Sequence, residues 1–146
     1  MSPQQRSRAM SHVRSNNTRI EQLVGTRLHK RGLRYKKCVL VLPGRPDIVF
    51  PKYKAAIFIH GCFWHGHFAC KRSHLPESNR NFWEKKISAT AKRDGEKIVQ
   101  LRNNGWRVAI VWQCCLSNND SITNTIDILV EWIMHGNDRL EIPEFL

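Results

Sequence analysis

Between Phe58 and Cys70 the chain reads Phe-Ile-His-Gly-Cys-Phe-Trp-His-Gly-His-Phe-Ala-Cys, with three histidines, two cysteines, a tryptophan and three phenylalanines in thirteen residues. Packing alone does not call for so many ligand-grade side chains together. Cys62, His67 and Cys70 stand at C-x4-H-x2-C spacing, short enough for thiolates and an imidazole to meet on one ion. The Cys114-Cys115 pair downstream can supply a fourth ligand. A closed sulfur-rich set is structural, which leaves His60 and His65, either side of Cys62, for another task. Asp47 is the other candidate. It opens the run Asp-Ile-Val-Phe directly after Pro46, and a hairpin sets it beside the end of the next apolar run at Ile59-His60. A carboxylate with an oxygen from the neighbouring strand can anchor Mg²⁺ against a scissile phosphate. His65 or His60 can then take a proton from the attacking water. The competing reading of an Asp after Pro is turn chemistry.

The elements that must position these residues follow from periodicity. Thr18-Arg-Ile-Glu21 is a capping box, and Ile20, Leu23, Val24 and Leu28 recur at helical spacing until Gly32. Leu33 to Leu42 reads as a strand, Pro43-Gly-Arg-Pro46 as a turn, Asp47 to Phe50 as a strand, and Pro51 to Lys54 as a hairpin connection. Ala55 to His60 is an apolar strand that ends at the ligand cluster. A long helix is predicted from Asn81 to Asn104, with Phe82, Trp83, Ile87, Ile98 and Leu101 on its apolar side. Arg107 to Gln113 reads as a strand and Ser121 to His135 as a last amphipathic helix. The predicted order α-β-β-β-α-β-α is a mixed sheet flanked by helices. Residues 1–17 read as a basic N-terminal arm with Met10 and Val13 its isolated apolar residues, and residues 18–146 as a single domain.

Charge narrows the partner. The 146 residues carry 24 Lys and Arg against 12 Asp and Glu, a net +12, and from Arg6 to Lys37 ten basic residues face a single acid, Glu21. That field favours a polyanion. A membrane is the weaker fit, because no apolar run approaches the roughly 18 residues of a spanning helix and Met-Ser-Pro-Gln-Gln-Arg lacks the apolar centre of a secretory signal. An odd set of five cysteines clustered with histidines reads as metal ligands and free thiols rather than disulfides, in a cytoplasmic chain.

Leu42-Pro-Gly-Arg-Pro-Asp47, then Ile57 to His65, Phe82-Trp83, Lys92-Arg-Asp94 and Gly105 to Cys114 resemble the very short patch repair (Vsr) endonucleases, bacterial enzymes that nick DNA at T:G mismatches left by deamination of 5-methylcytosine. The resemblance runs from about Arg6 to Trp132 and implies a restriction-endonuclease-like, PD-(D/E)xK core. It implies that Asp47 binds Mg²⁺ together with the main-chain carbonyl of Ile59, that His65 is the general base, and that His60, Asp94 and Glu21 are supporting acidic or imidazole groups of the site. The capping box is a sufficient explanation of Glu21 on its own. The resemblance further implies a structural Zn²⁺ on Cys62, His67, Cys70 and Cys114. His67 and Cys70 are one residue further apart here than the family pattern, which makes His74 a substitute ligand to consider. Cys115 is expected to face the other way from Cys114 and pack, and Cys38 to be buried filler.

Phe63, Trp64 and Trp83 are, by the resemblance, aromatics that wedge into the DNA stack, with Met10 and Val13 approaching from the minor groove. The ordinary alternative for each ring is core packing. The partners implied are double-stranded DNA with a T:G mismatch, mismatch-repair proteins and a cognate cytosine-5 methyltransferase, for a monomer acting at the bacterial nucleoid. Two other classes fit the same residues: a zinc-stabilised DNA-binding module without catalysis, and a PD-(D/E)xK nuclease of different specificity.

Overall fold

The computed structural model describes residues 19–37, 42–68 and 70–143. The expected arm, Met10 and Val13 with it, and Cys38 lie outside them. Helix α1 spans Arg19–Lys30 and turns Val24 and Leu28 inward; Gly32, at φ +86°, ends it. Strands β1 (Lys36–Lys37), β2 (Ile48–Phe50) and β3 (Ala55–His60) follow, with a 3-10 turn over Pro51–Tyr53 joining β2 to β3. Helix α2 is Arg80–Asn103, β4 is Arg107–Trp112, helix α3 is Asn119–His135 and β5 is Arg139–Ile142.

Strand periodicity divides the core between two faces. Ile48, Phe50, Ile57, Ala109 and Val111 point to one face, where Val24 and Leu28 of α1 and Ile122, Ile126, Leu129 and Ile133 of α3 cover them. Val49, Ala56, Phe58 and Val108 point to the other, against Leu101 and the half-buried Ile98 of α2. The molecule is a mixed α/β sandwich of three layers. Strands β1, β2 and β3 pair antiparallel, whereas β3, β4 and β5 run parallel, in spatial order β1-β2-β3-β4-β5. Parallel neighbours need crossovers, and α2 and α3 are those crossovers. Both move the chain the same way across the sheet yet lie on opposite faces, so one of the two winds left-handed against the usual right-handed default.

The structure corrects the sequence reading in four places. Among the described residues the strand expected over Leu33–Leu42 is only Lys36–Lys37. β5 was not expected, because Arg-Leu-Glu-Ile is short and half exposed and offers little apolar periodicity. Phe82 is 56% exposed rather than on the buried side of α2. Cys114 and Cys115 lie in a 3-10 turn, Gln113–Leu116, not on an extended segment. That turn still separates them, Cys114 to the α2 face and Cys115 to the core beneath α3. Among the described residues no helix is long and apolar enough to cross a membrane.

Candidate active site and metal centre

The turn before β2 delivers Asp47. Gly44 has φ +75°, and a side chain there would bring its Cβ to 2.9 Å from the Lys97 Cβ and 3.1 Å from the Phe58 ring, so only glycine lets the turn lie down on α2 and β3. The Asp47 N–H donates to the Ile57 carbonyl at 3.1 Å, and its Oδ2 accepts the Ile59 N–H at 2.7 Å. A strand residue presents its N–H and C=O along the same edge. The Ile59 carbonyl therefore lies on the Asp47 side, where Pro46 has no N–H to claim it.

A cleft of about 440 Å³ opens over this corner, lined by Glu21, Arg45, Asp47, Ile59, His60, His65, Arg93, Asp94 and others. Burial, then the nearby Glu21 carboxylate, push the Asp47 carboxyl up to about 7, partly offset by the Ile59 N–H. Glu21, which the resemblance implies for the site, thus lines the cleft beside Asp47. Arg45 lines it too and was not expected there, because it reads as an ordinary turn residue.

His65 and Asp94 form a dyad, with Nδ1 of His65 2.6 Å from Oδ2 of Asp94. An ionised carboxylate only accepts, so Nδ1 carries the proton and Nε2 is left with its lone pair. His60, 4% exposed at the end of β3, stacks flat on His65, with centroids 3.9 Å apart and planes within 4°. Burial, then the charge that His65 bears whenever its ring is protonated, lower His60 to about 3, so it is neutral under the ring it supports. The ligand atoms of His60, His65 and Asp94 lie within 4.8 Å of one another, close enough to suggest a metal triad. Imidazole ligates in its ring plane, and two stacked parallel planes share no point. One ion cannot take both rings as they stand.

The loop after β3 carries the second group. Cys62, His67, Cys70 and Cys114 bring their ligand atoms within 4.8 Å of one another. Gly66, at φ +64° with its Cβ position 2.7 Å from the Ile87 Cγ2, lets the loop turn tightly against α2. His67 Nδ1 sits 3.6 Å from Cys114 Sγ. A tetrahedral ion with bonds of about 2.3 Å to sulfur and 2.0 Å to nitrogen holds such atoms about 3.5 Å apart. The donor set and its spacing therefore fit Zn²⁺. Burial pushes the Cys62 thiol up to about 12, and burial lowers His67, with the Glu141 carboxylate acting in the opposite sense. His74, exposed after the 3-10 turn Lys71–Ser73, stands outside this group.

Beside the cleft, Phe63, Trp64 and Trp83 meet edge to face, at centroid distances of 5.3–5.8 Å. All three are partly exposed, and Phe82 adds a fourth ring 5.2 Å from Trp83. The Lys86 ammonium stands 5.4–5.7 Å from the rings of Trp64, Phe82 and Trp83. Trp112 and Trp132 are buried and Trp106 packs against the core.

Paired carboxylates, an oriented imidazole and two guanidinium groups converging on one cleft are the equipment of a hydrolase for a polyanionic substrate. Comparison with known proteins narrows the class. A family model described as DNA mismatch endonuclease Vsr matches residues 1–72. The type II nicking enzyme V.XorIIP of Xanthomonas oryzae pv. oryzae is 48% identical over 118 residues, covering 81% of this chain and 86% of its own. V.NmeAIP of Neisseria meningitidis serogroup A, also a type II nicking enzyme, is 41% identical over 128 residues, 88% of this chain and 91% of its own. The DNA mismatch endonuclease Vsr of Escherichia coli K12 is 38% identical over 130 residues, 88% of this chain and 83% of its own. The chain belongs to the DNA mismatch endonuclease Vsr family, and is thus a DNA endonuclease.

Proposed function

We propose that the protein is a Mg²⁺-dependent endonuclease that nicks one strand of duplex DNA 5′ to the T of a T:G mismatch, on a PD-(D/E)xK core braced by a structural Zn²⁺. One observation carries the reading: Asp47, the Ile59 carbonyl edge and the His65–Asp94 dyad converge on one cleft beside a partly exposed aromatic cluster. The α-β-β-β-α-β order, with Asp47 leading into the second strand of a mixed sheet, agrees with that core.

The donor set suits Mg²⁺. Asp47 and the Ile59 carbonyl are hard oxygens, and a carboxyl held near 7 beside a second carboxylate is a place where a cation relieves repulsion. Asp47 and the Ile59 carbonyl would hold the ion, whose chemistry there would be to offset the charge of the scissile phosphate and make the attacking water easier to deprotonate. His65 then takes the proton at Nε2, while Asp94 fixes the tautomer and stabilises the imidazolium that forms. His60 keeps the ring plane and, being neutral, adds no repulsion to that charge. Arg45 and Arg93 line the cleft where backbone phosphates would lie, and Phe63, Trp64 and Trp83 offer faces for insertion beside a weakened base step. Unstacking costs a few kcal/mol and less at a mismatch, which selects the damaged step. The arm, residues 1–17, extends the basic surface, Met10 and Val13 belong to the DNA contact, and the remainder acts as one domain. Partner mismatch-repair proteins and a cytosine-5 methyltransferase are part of the same reading.

The test is a pair of end-labelled duplexes differing only by T:G in place of C:G, with Mg²⁺ or EDTA. A single magnesium-dependent nick 5′ to the T is expected. Tight binding without product would point to a binding module, and equal cutting of both duplexes to a nuclease of different specificity.

A further inference from the structure

The last strand reaches the metal centre without ligating it. Trp112, at the end of β4, donates its Nε1–H to Glu141 Oε2 of β5 at 2.9 Å. The His67 ring lies flat on the Trp112 indole, with centroids 4.2 Å apart and planes within 7°. On its other side His67 presents Nδ1 to the Cys114 thiol. Glu141 and His67 also line the same cleft of about 360 Å³. Glu141 Oε1 is 3.5 Å from the Arg139 guanidinium, and the Glu141 side chain is 26% exposed, so the bond to the buried Trp112 is partly screened from water.

We propose that Glu141 is a positioning residue of the Cys62–His67–Cys70–Cys114 centre. It fixes the rotation of the Trp112 indole, the indole plane fixes the His67 ring, and the ring is thereby held with Nδ1 toward the three thiols. The negative charge adds to the donor strength of the imidazole. Outer partners of this kind orient metal-bound histidines and tune their affinity. The inference rests on the reading of that cluster as a Zn²⁺ site.

Zinc content by mass spectrometry and the rate of zinc transfer to a chromogenic chelator test it, on the full chain and its Glu141→Gln, Glu141→Ala and Asp127→Ala variants. Asp127 is a comparison acid, exposed on α3 and paired with Arg31 at 2.7 Å. Release about tenfold or more faster is expected from Glu141→Ala, the size found for such partners. Glu141→Gln keeps the acceptor for Trp112 and loses the charge, so it should fall between, and Asp127→Ala should match the parent. Far-UV circular dichroism spectra of the zinc-loaded parent and Glu141→Gln should coincide, which a purely structural role for the charge would not give. Parent-like release from both Glu141 variants, with zinc bound, would overturn the inference alone. A parent chain that takes up no zinc would overturn the metal reading as well.

Discussion

Between pH 3.8 and about 7 the Asp47 carboxyl is protonated in the folded chain and ionised in the unfolded one. Folding takes up a proton across that window, so this group makes stability fall as pH rises, with the whole penalty present above about pH 7. An Asn at 47 carries no such charge. Asp47→Asn should therefore abolish cleavage and, in Mg²⁺-free buffer without chelator at pH 8, raise stability by about 1–3 kcal/mol, a gain that vanishes near pH 4. Denaturant melts of both chains across that range would check it; no gain at pH 8 would mean the carboxylate is not strained without its cation. His60 works in the opposite sense. Its folded value of about 3 lies below its ordinary 6.5, so the stability it contributes is present above pH 6.5 and is lost as pH falls toward 3. Comparing variant and parent at each pH cancels it. Ile59 yields a second prediction: because its main chain and not its side chain faces Asp47, Ile59→Thr should nick within about threefold of the parent, whereas His65→Ala should lose on the order of 10²–10⁴ in rate. That Asp47 and His65 would share a cleft, and that Cys62, His67, Cys70 and Cys114 would cluster, was legible because their spacing suits ligation and proton transfer. Glu21 was reached only through the family resemblance and Arg45 not at all, since a cap and a turn already account for an acid and a base at those positions.

β4 and α3 are joined by Arg107. Its guanidinium donates to the carbonyls of Tyr53, Trp132, Ile133 and Asn137 at 2.7–3.5 Å and lies over the Trp132 ring at 4.8 Å. A cation there meets the negative end of α3 and adds a donor for its last carbonyls, Trp132 O also accepting the Gly136 N–H at 2.8 Å. Arg107→Ala should lower stability by about 1–3 kcal/mol, read as a fall in melting temperature, since several part-buried carbonyls lose a charged donor at once. An unchanged melting temperature would sink the assignment. Arg107→Lys should recover only part, because an ammonium lacks the planar fork. At this scale the central elements were legible: Ala55–His60 matches its predicted bounds, and β4 and the three helices differ from theirs by a residue or two. Their apolar periodicity is set by burial on two faces. β5 was not legible, because what stabilises it is parallel pairing with β4 and the Glu141–Trp112 bond, both non-local.

Across the whole molecule, one stretch of chain serves both clusters: β3 ends in Ile59 and His60, and the loop that carries the Cys/His cluster starts at Cys62. A structural zinc contributes on the order of 10 kcal/mol of apparent binding energy, comparable to the entire stability of a domain. Stripping zinc with a strong chelator should therefore collapse the far-UV circular dichroism transition, whereas withdrawing Mg²⁺ should stop nicking and leave the fold intact. A chelated chain that melts as before would refute the structural role. With a net +12, DNA affinity should fall by about 10³-fold or more between 50 and 200 mM salt if six or more phosphates are contacted, and a titration by fluorescence anisotropy reads that slope. The arrangement of crossovers also sets a timetable. As the chain is made from its N-terminus, Cys62, His67 and Cys70 emerge together, but Cys114 waits for α2 and β4, and Glu141 waits for α3 and the strand beyond it. The ligand set can close only after the parallel half of the sheet has begun, and its brace arrives last of all. A ribosome stalled before β4 would thus hold a three-ligand loop with nowhere to complete it.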